Sequence, residues 1–403
     1  MLPFNSVSDL SIIITDKEEL LRQKIKNFVK NELENRIKQI EDTGSIPDEL
    51  FRIAAKHGLS GLGIPRELGG EGGGHLSLTI CIEEISKVCP SFATAIMVQR
   101  LFTIPVILYG TEQQKTKYIP AIARGEKFAA HGVTELVAGS DISSIKTQAR
   151  KEGDGWIING KKHFITLADK ADYFIILART SEPQESESRW RGLTMFILEK
   201  TVKGLEVGRK IKITGMKGAE PCELFLNDVW VPDDSVLGKI GEGFKIAVNT
   251  YNYGRLYVAA QAVGISQAAL EKCLHYTHER EAFEQPLISF QSIQFSIVDM
   301  LKSVVTARLI TYWAAYLLEQ GKESGIIAAA LAKLYATEIA ENVALKAIEI
   351  HGGRGVSIDE MIERSLRDSQ VAKIYEGTPA ILRLTVIRQL LKQILKDSQI
   401  NTL

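Results

Sequence analysis

The spacing of apolar and polar positions changes twice along the chain, and the two changes mark out three zones. Residues 1 to about 125 follow the 3.6-residue repeat of helices. Thr15 and Glu18 form a capping-box pattern ahead of an apolar stripe at Leu21, Ile25 and Phe28. Pro47 suits the first turn of a further helix, and Gly58, after Lys56 and His57, suits its end. The glycine-rich GIPRELGGEGGG at 63–74 lacks the strand–GxxxxGK[ST]–helix setting of a phosphate loop and reads as a mobile connection. Helical spacing then resumes through Glu83 and Glu84 and runs to Pro120.

From about 126 the grammar is that of strands and turns. DYFIILAR (172–179), LTMFILEK (193–200), KIKITG (210–215) and CELFLNDVWVP (222–232) read as strands. Gly153-Asp154-Gly155 and Asn159-Gly160 flank Trp156, Ile157 and Ile158, and Asn-Gly is a strong hairpin signal. SEPQESESRW (181–190) reads as a solvated loop. Many short strands with frequent turns indicate an antiparallel sandwich or barrel. After Pro232 four long amphipathic stretches cover roughly 242–279, 288–319, 324–351 and 366–397, which suits an antiparallel bundle. The expected class is therefore α+β and mainly helical. An N-terminal α-helical domain (1–125) precedes a middle antiparallel β domain (126–235) and a C-terminal four-helix bundle (236–403).

Composition narrows the partners. At 403 residues the chain exceeds the usual size of one core. Lys+Arg and Asp+Glu balance at 49 each, so no overall field draws it to nucleic acid or an anionic membrane. Cys81, Cys89, Cys222 and Cys273 show no CxxC spacing and read as buried thiols in a reducing compartment, with no disulfide framework and no metal site. The N-terminus has no basic start of a secretory signal, and no uninterrupted apolar run approaches the ~18 residues of a membrane span. The expectation is a soluble cytoplasmic protein.

Candidate chemistry sits at interruptions of the pattern. In KIYEGTPAILR (373–383) a helical run breaks at Glu376-Gly377-Thr378-Pro379, because Gly admits unusual backbone angles and Pro cannot continue a helix. The Glu376 carboxylate there either caps a helix, pairs with a cation such as Arg383, or enters a cavity. VTELVAGSDISSIKT (133–147) offers Thr134, Gly139, Ser140 and Asp141. Their hydroxyls and backbone N–H groups suit an anion, and equally an ordinary Ser/Asp turn. KKHFIT (161–166) places Phe164 and Thr166 two residues apart, on one side of a strand.

The ordered set TELVAGSD, GKKHFIT, CELFLNDVWVP, YGR, REAF…FQ, HGGRG, RD and YEGT resembles the acyl-CoA dehydrogenase family over nearly the whole chain. The resemblance implies FAD between the β domain and the bundle. Val133, Thr134, Gly139 and Ser140 would contact the flavin and its pyrophosphate, Phe164 would pack near the isoalloxazine ring, and Thr166 would bond near N5. Thr378 would also hold the cofactor. Arg280, Gln291, Gly352 and Gly353 would serve the ADP half of an FAD in a neighbouring subunit, in a homo-oligomer that is a tetramer (a dimer of dimers) in the family. An arginine fork suits phosphate oxygens, although Arg280 by itself also reads as a surface cation at a helix end.

The implied reaction is α,β-dehydrogenation of an acyl-CoA. Glu376 would take the α proton while a hydride passes from the β carbon to flavin N5, giving a trans-2-enoyl-CoA, with electrons passed on to an electron-transfer flavoprotein. The Glu376 backbone N–H would help bind the thioester carbonyl. Tyr375 and Gly377 would line the acyl channel with residues near 92–102, and Ser140, Asn252 and Arg255 would contact substrate, Arg255 at the rim. Members that carry the base on the first bundle helix have it beside the arginine that is Arg255 here, where Asn252-Tyr253-Gly254 offers no carboxylate. Five positions depart from the family pattern: Leu136, Phe164, Asn252, Glu349 and Ala380. Glu349 and Ala380 fall at the expected FAD adenosine site, and Asn252 at the CoA contact. Alternatives on the same fold are a flavin oxidase, a dehydrogenase of a carrier-bound or non-CoA substrate, and a non-catalytic or DNA-associated scaffold.

Overall fold

The structure, a computed structural model, describes residues 14–183 and 188–400. The first 13 residues, read above as carrying no secretory signal, lie outside the described residues, as do residues 184–187 of the polar loop.

Among the described residues, six α-helices come first: α1 (Asp16–Phe28), α2 (Ile37–Thr43), α3 (Asp48–Lys56), α4 (Gly74–Ser86), α5 (Pro90–Tyr109) and α6 (Glu112–Ala123). The capping box is present, with the Thr15 N–H donating to Glu18 Oε2 at 3.1 Å, and Ile25 and Phe28 of the predicted stripe are buried. The glycine-rich stretch is closed by its own backbone hydrogen bonds. It folds back on itself, the Gly63 N–H donating to the Gly72 carbonyl (2.8 Å) and the Gly72 N–H to the Ile64 carbonyl (2.9 Å). A Cβ at Gly70 would lie 2.2 Å from the Ile64 carbonyl oxygen, so the turn closes only around a bare backbone. By length and composition α5 could cross a membrane, but 89% of its apolar window is buried in protein, as befits a core helix.

Eight strands follow: β1 (Ala129–Gly132), β2 (Gln148–Glu152), β3 (Gly155–Thr166), β4 (Tyr173–Arg179), β5 (Leu193–Glu199), β6 (Leu205–Lys210), β7 (Pro221–Pro232) and β8 (Val236–Leu237). They form one sheet in the order β6-β7-β3-β2-β4-β5-β8, with β1 beside β4. The sheet is mostly but not wholly antiparallel, because β4 pairs in parallel with both β1 and β2. Two local expectations fail. Asn159-Gly160 is no hairpin turn; it lies inside β3 at a register shift against β7, where Asn159 Nδ2 donates to Asp228 Oδ1 (2.9 Å). The turn is instead Gly153-Asp154, with Gly153 at φ 59°. The KIKITG strand is also displaced, since β6 ends at Lys210 and most of that segment is irregular.

The bundle comprises α7 (Gly243–Glu279), α8 (Gln291–Glu319), α9 (Ser324–His351), α10 (Arg364–Ile374) and α11 (Pro379–Ile400). The fourth predicted stretch is two helices, α10 and α11, joined through Tyr375–Thr378. A small turn of β9 (Glu281–Ala282) and β10 (Gln285–Pro286) separates α7 from α8. Buried ion pairs fasten the first zone to the bundle: Glu83 on α4 accepts from Arg22 on α1 (3.2 Å), Arg308 on α8 (2.9 Å) and the Tyr312 hydroxyl (2.7 Å). These satisfied charges keep α4 in a single register against its neighbours.

Candidate active site

The cleft between sheet and bundle is a cavity of about 1290 Å³, large enough for a cofactor and a substrate together. Thr94, Met97, Val98 and Leu101 of α5 form one wall, and the 133–143 loop, Phe164 and Thr166 another. Tyr251 and Arg255 of α7 and the 374–378 break complete it.

Glu376 occupies the break in a left-handed conformation, φ 55°, followed by Gly377 at φ 104°. Such angles are costly for a residue with a Cβ and persist only where the surroundings enforce them. The carboxylate packs over Gly254 of α7: a Cβ there would lie 2.4 Å from Glu376 Oε2. That oxygen is buried and has no hydrogen-bond partner. Burial pushes the carboxyl up to about 7, against the opposing pull of Lys333 and Arg255. Of the readings open from sequence, the pair with Arg383 is not formed, because Arg383 bonds Glu338 (2.8 Å).

The surroundings of Glu376 were only partly legible. Arg255 is not at the rim. It is 5% exposed and lies within charge range of Glu376, with Nε unpartnered. Asn252 is buried behind it, off the cavity lining, and its amide oxygen accepts from Arg255 at 2.9 Å. Lys333 of α9 approaches from the other side, donating to the Gly377 carbonyl at 2.6 Å. Tyr375 lines the cavity while its hydroxyl donates to Gln261, which in turn donates to Thr94 Oγ1 (2.8 Å).

The opposite wall is built on the Thr134–Ser144 loop. Its anchor, missed from sequence, is Glu135. The carboxylate accepts from the backbone of Lys146 (2.7 Å) and Thr147 (3.0 Å), from Thr147 Oγ1 (2.6 Å) and from the buried Lys162 ammonium (2.8 Å). The Thr134 carbonyl accepts from the His163 N–H (2.8 Å), fixing the loop to β3. Val133, Thr134, Gly139, Ser140, Phe164, Thr166, Arg255, Tyr375, Glu376, Gly377 and Thr378 are thereby gathered on one cavity. The surface offered there is open: no atom lies within 4 Å of a Cβ built on Gly139, and Phe164, at φ 59°, is 49% exposed toward the cleft. Donors, an uncovered aromatic ring and an unpartnered carboxylate around one space fit a flavin dinucleotide and a thioester.

Four expected cofactor residues lie elsewhere. Arg255 and Arg280 are 25 positions apart along α7, about 37 Å at 1.5 Å per residue. Arg280, Gln291, Gly352 and Gly353 gather at that far end of the bundle, all exposed. Glu349 is exposed near them and paired with Lys346, and Ala380 is exposed at the start of α11. Two further cavity residues were missed, Tyr251 and His131, whose rings meet edge to face at 5.6 Å. A polar residue in a buried helical stripe was the available signal for Lys333, which shares a face with Ala329, Ala336 and Ala340.

Three comparisons bear on this geometry. The chain matches the Acyl-CoA dehydrogenase N-terminal domain over residues 15–126, the middle domain over 130–229 and the C-terminal domain over 241–391. A short-chain-specific acyl-CoA dehydrogenase of Clostridium acetobutylicum is 37% identical over 377 residues, 93% of this chain and 97% of that one. Subunit CarC of the caffeyl-CoA reductase-Etf complex of Acetobacterium woodii is 35% identical over 383 residues, 94% and 99% of the two chains. The structure of butyryl-CoA dehydrogenase from Megasphaera elsdenii superposes with a TM-score of 0.90 at 34% identity, covering 97% of this chain and 100% of that one. The chain belongs to the acyl-CoA dehydrogenase family of FAD-dependent oxidoreductases.

Proposed function

We propose that the protein oxidises a short acyl-CoA to its trans-2-enoyl-CoA, with Glu376 as the base. The carrying observation is that Glu376 lines the cavity at a strained helix break, with one carboxylate oxygen buried and unpartnered. FAD, when bound, supplies the hydride acceptor. Val133, Thr134, Gly139, Ser140, Phe164, Thr166 and Thr378 would hold it on the cavity side. The Glu376 N–H orients the thioester carbonyl, which acidifies the α C–H. The carboxylate then takes the α proton as a hydride leaves the β carbon and the double bond forms. A base with a pKa near 7 is well matched to such a transfer. Lys333 and Arg255 oppose the burial that favours the protonated carboxyl of Glu376, with Asn252 orienting the Arg255 guanidinium.

Arg280, Gln291, Gly352 and Gly353 cannot reach their own chain's cavity, so they would serve the cofactor of a neighbouring subunit. Phe283, 87% exposed beside Arg280, and apolar residues left open on α8 and α11 such as Trp313, Ile387 and Leu391 support association, in a tetramer as the family suggests. Relatives of the named kinds support an electron-transfer flavoprotein as electron partner, and four free buried cysteines suit a cytoplasmic setting. The same residues serve enoyl reduction in reverse, a direction supported by the relative named as a reductase. Anaerobic mixing of the FAD-loaded protein with acyl-CoAs of graded length tests the reading. Bleaching is expected with short chains, and no bleaching by any acyl-CoA would overturn it.

A further inference from the structure

Among the described residues, the charged groups facing Glu376 come from helices other than the two it joins. α7 contributes Arg255, with Tyr251 beside it, and α9 contributes Lys333. Lys333 is fully buried, and its Nζ donates to the Gly377 carbonyl at 2.6 Å and lies 3.4 Å from the Lys373 carbonyl. Lys373 is the last but one residue of α10 and Gly377 the glycine next to the base, so one ammonium bridges both sides of Glu376. No carboxylate makes an ion pair with Lys333 among the described residues, although a buried ammonium strongly prefers one.

We infer that Lys333 is a positioning residue for this family's reaction here, holding the 374–378 break shut on α9 and supplying a positive charge that favours the ionised form of Glu376. The inference rests on Glu376 being the base. It adds a separate claim: the base is set by a group that never touches substrate. Burial alone favours protonated Glu376. The Lys333 charge opposes that, and Glu376 in turn supports the lysine's charge, while burial draws the lysine down to about 7. Each group therefore favours the charged form of the other. Removing the lysine leaves Arg255 as the remaining counter-charge and must move the base toward higher pKa.

The experiment is the pH profile of kcat/KM for butyryl-CoA in the FAD-loaded enzyme, comparing wild type, Lys333→Gln and Lys333→Met. Below the pKa of the base the rate falls tenfold per pH unit. Both variants should shift this acid limb upward by one pH unit or more and recover to within about threefold of wild type at pH 9. Lys333→Gln, which keeps an N–H for the Gly377 carbonyl, should lose less at pH 9 than Lys333→Met. An unmoved acid limb, or an equal loss at every pH, overturns the proposal. If neither variant folds, Lys333→Arg decides: it retains the charge and should keep the wild-type limb, and a displaced limb overturns the proposal. Glu376→Gln run alongside separates the two claims, since full activity in that variant removes the base assignment itself.

Discussion

Replacing Glu135 by leucine should unfasten the loop that carries Thr134, Gly139 and Ser140. Four donors lose their acceptor at once, one of them the fully buried Lys162 ammonium, which keeps only the Val133 carbonyl at 3.2 Å. Breaking one side of a buried ion pair costs about 3–5 kcal/mol, roughly a thousandfold in the folding equilibrium. The cost should depend on pH in a definite sense. Lys162 is already drawn down to about 8 by burial, below its unfolded value of about 10.4. The unfolded chain thus binds this proton more tightly, and folding gains stability as pH rises through that window. Without Glu135 the window opens lower, so the deficit of Glu135→Leu should be largest at pH 7 and smaller at pH 9. Urea unfolding of the FAD-loaded protein at both pH values, with flavin retention after gel filtration, measures it. Glu135→Leu combined with Lys162→Met should recover at least half the loss, because an apolar pair needs no counter-charge. A single variant within about 1 kcal/mol of wild type at pH 7, or a double variant no better than the single, would refute the reasoning.

Gly254→Ala places a methyl 2.4 Å from Glu376 Oε2, at the mobile end of the side chain. The helix gains up to about 1 kcal/mol of propensity while the displaced base loses roughly ten- to a hundredfold in kcat/KM, read by parallel melting and bleaching assays. If Arg280, about 37 Å along the bundle from Arg255, serves a neighbouring subunit's cofactor as proposed, Arg280→Ala should leave the monomer's fold intact yet lower flavin occupancy after gel filtration. Unchanged occupancy and oligomeric state would remove that role.

Period and punctuation made the three zones legible, and the Glu376 break was legible because Gly377 and Pro379 interrupt a helical repeat. What sequence could not supply was partnership across distant elements. Glu135 and Lys162 are separated by 27 positions and look like ordinary surface residues until β3 carries the lysine under the loop. Lys333 shows as a polar intruder in an alanine stripe, but nothing in the stripe says which carbonyl it meets. Asn159-Gly160 misled because the same flexibility that closes a hairpin also admits a bulge beside Thr147, which lies 2.3 Å from where a Cβ at Gly160 would sit. The burial of Arg255 depends on α9 and α10 packing over α7, a tertiary fact with no local sign in the sequence.

The most direct measurement is anaerobic reduction of FAD-loaded Glu376→Gln by butyryl-CoA, followed as loss of the flavin's yellow absorbance. Glutamine keeps the shape and the backbone N–H but cannot accept the α proton, so the variant should hold FAD and bind substrate while bleaching at least a thousandfold more slowly than wild type, the upper part of the range for general-base catalysis. Bleaching within tenfold of the wild-type rate would contradict the account, because some other group would then be removing the proton.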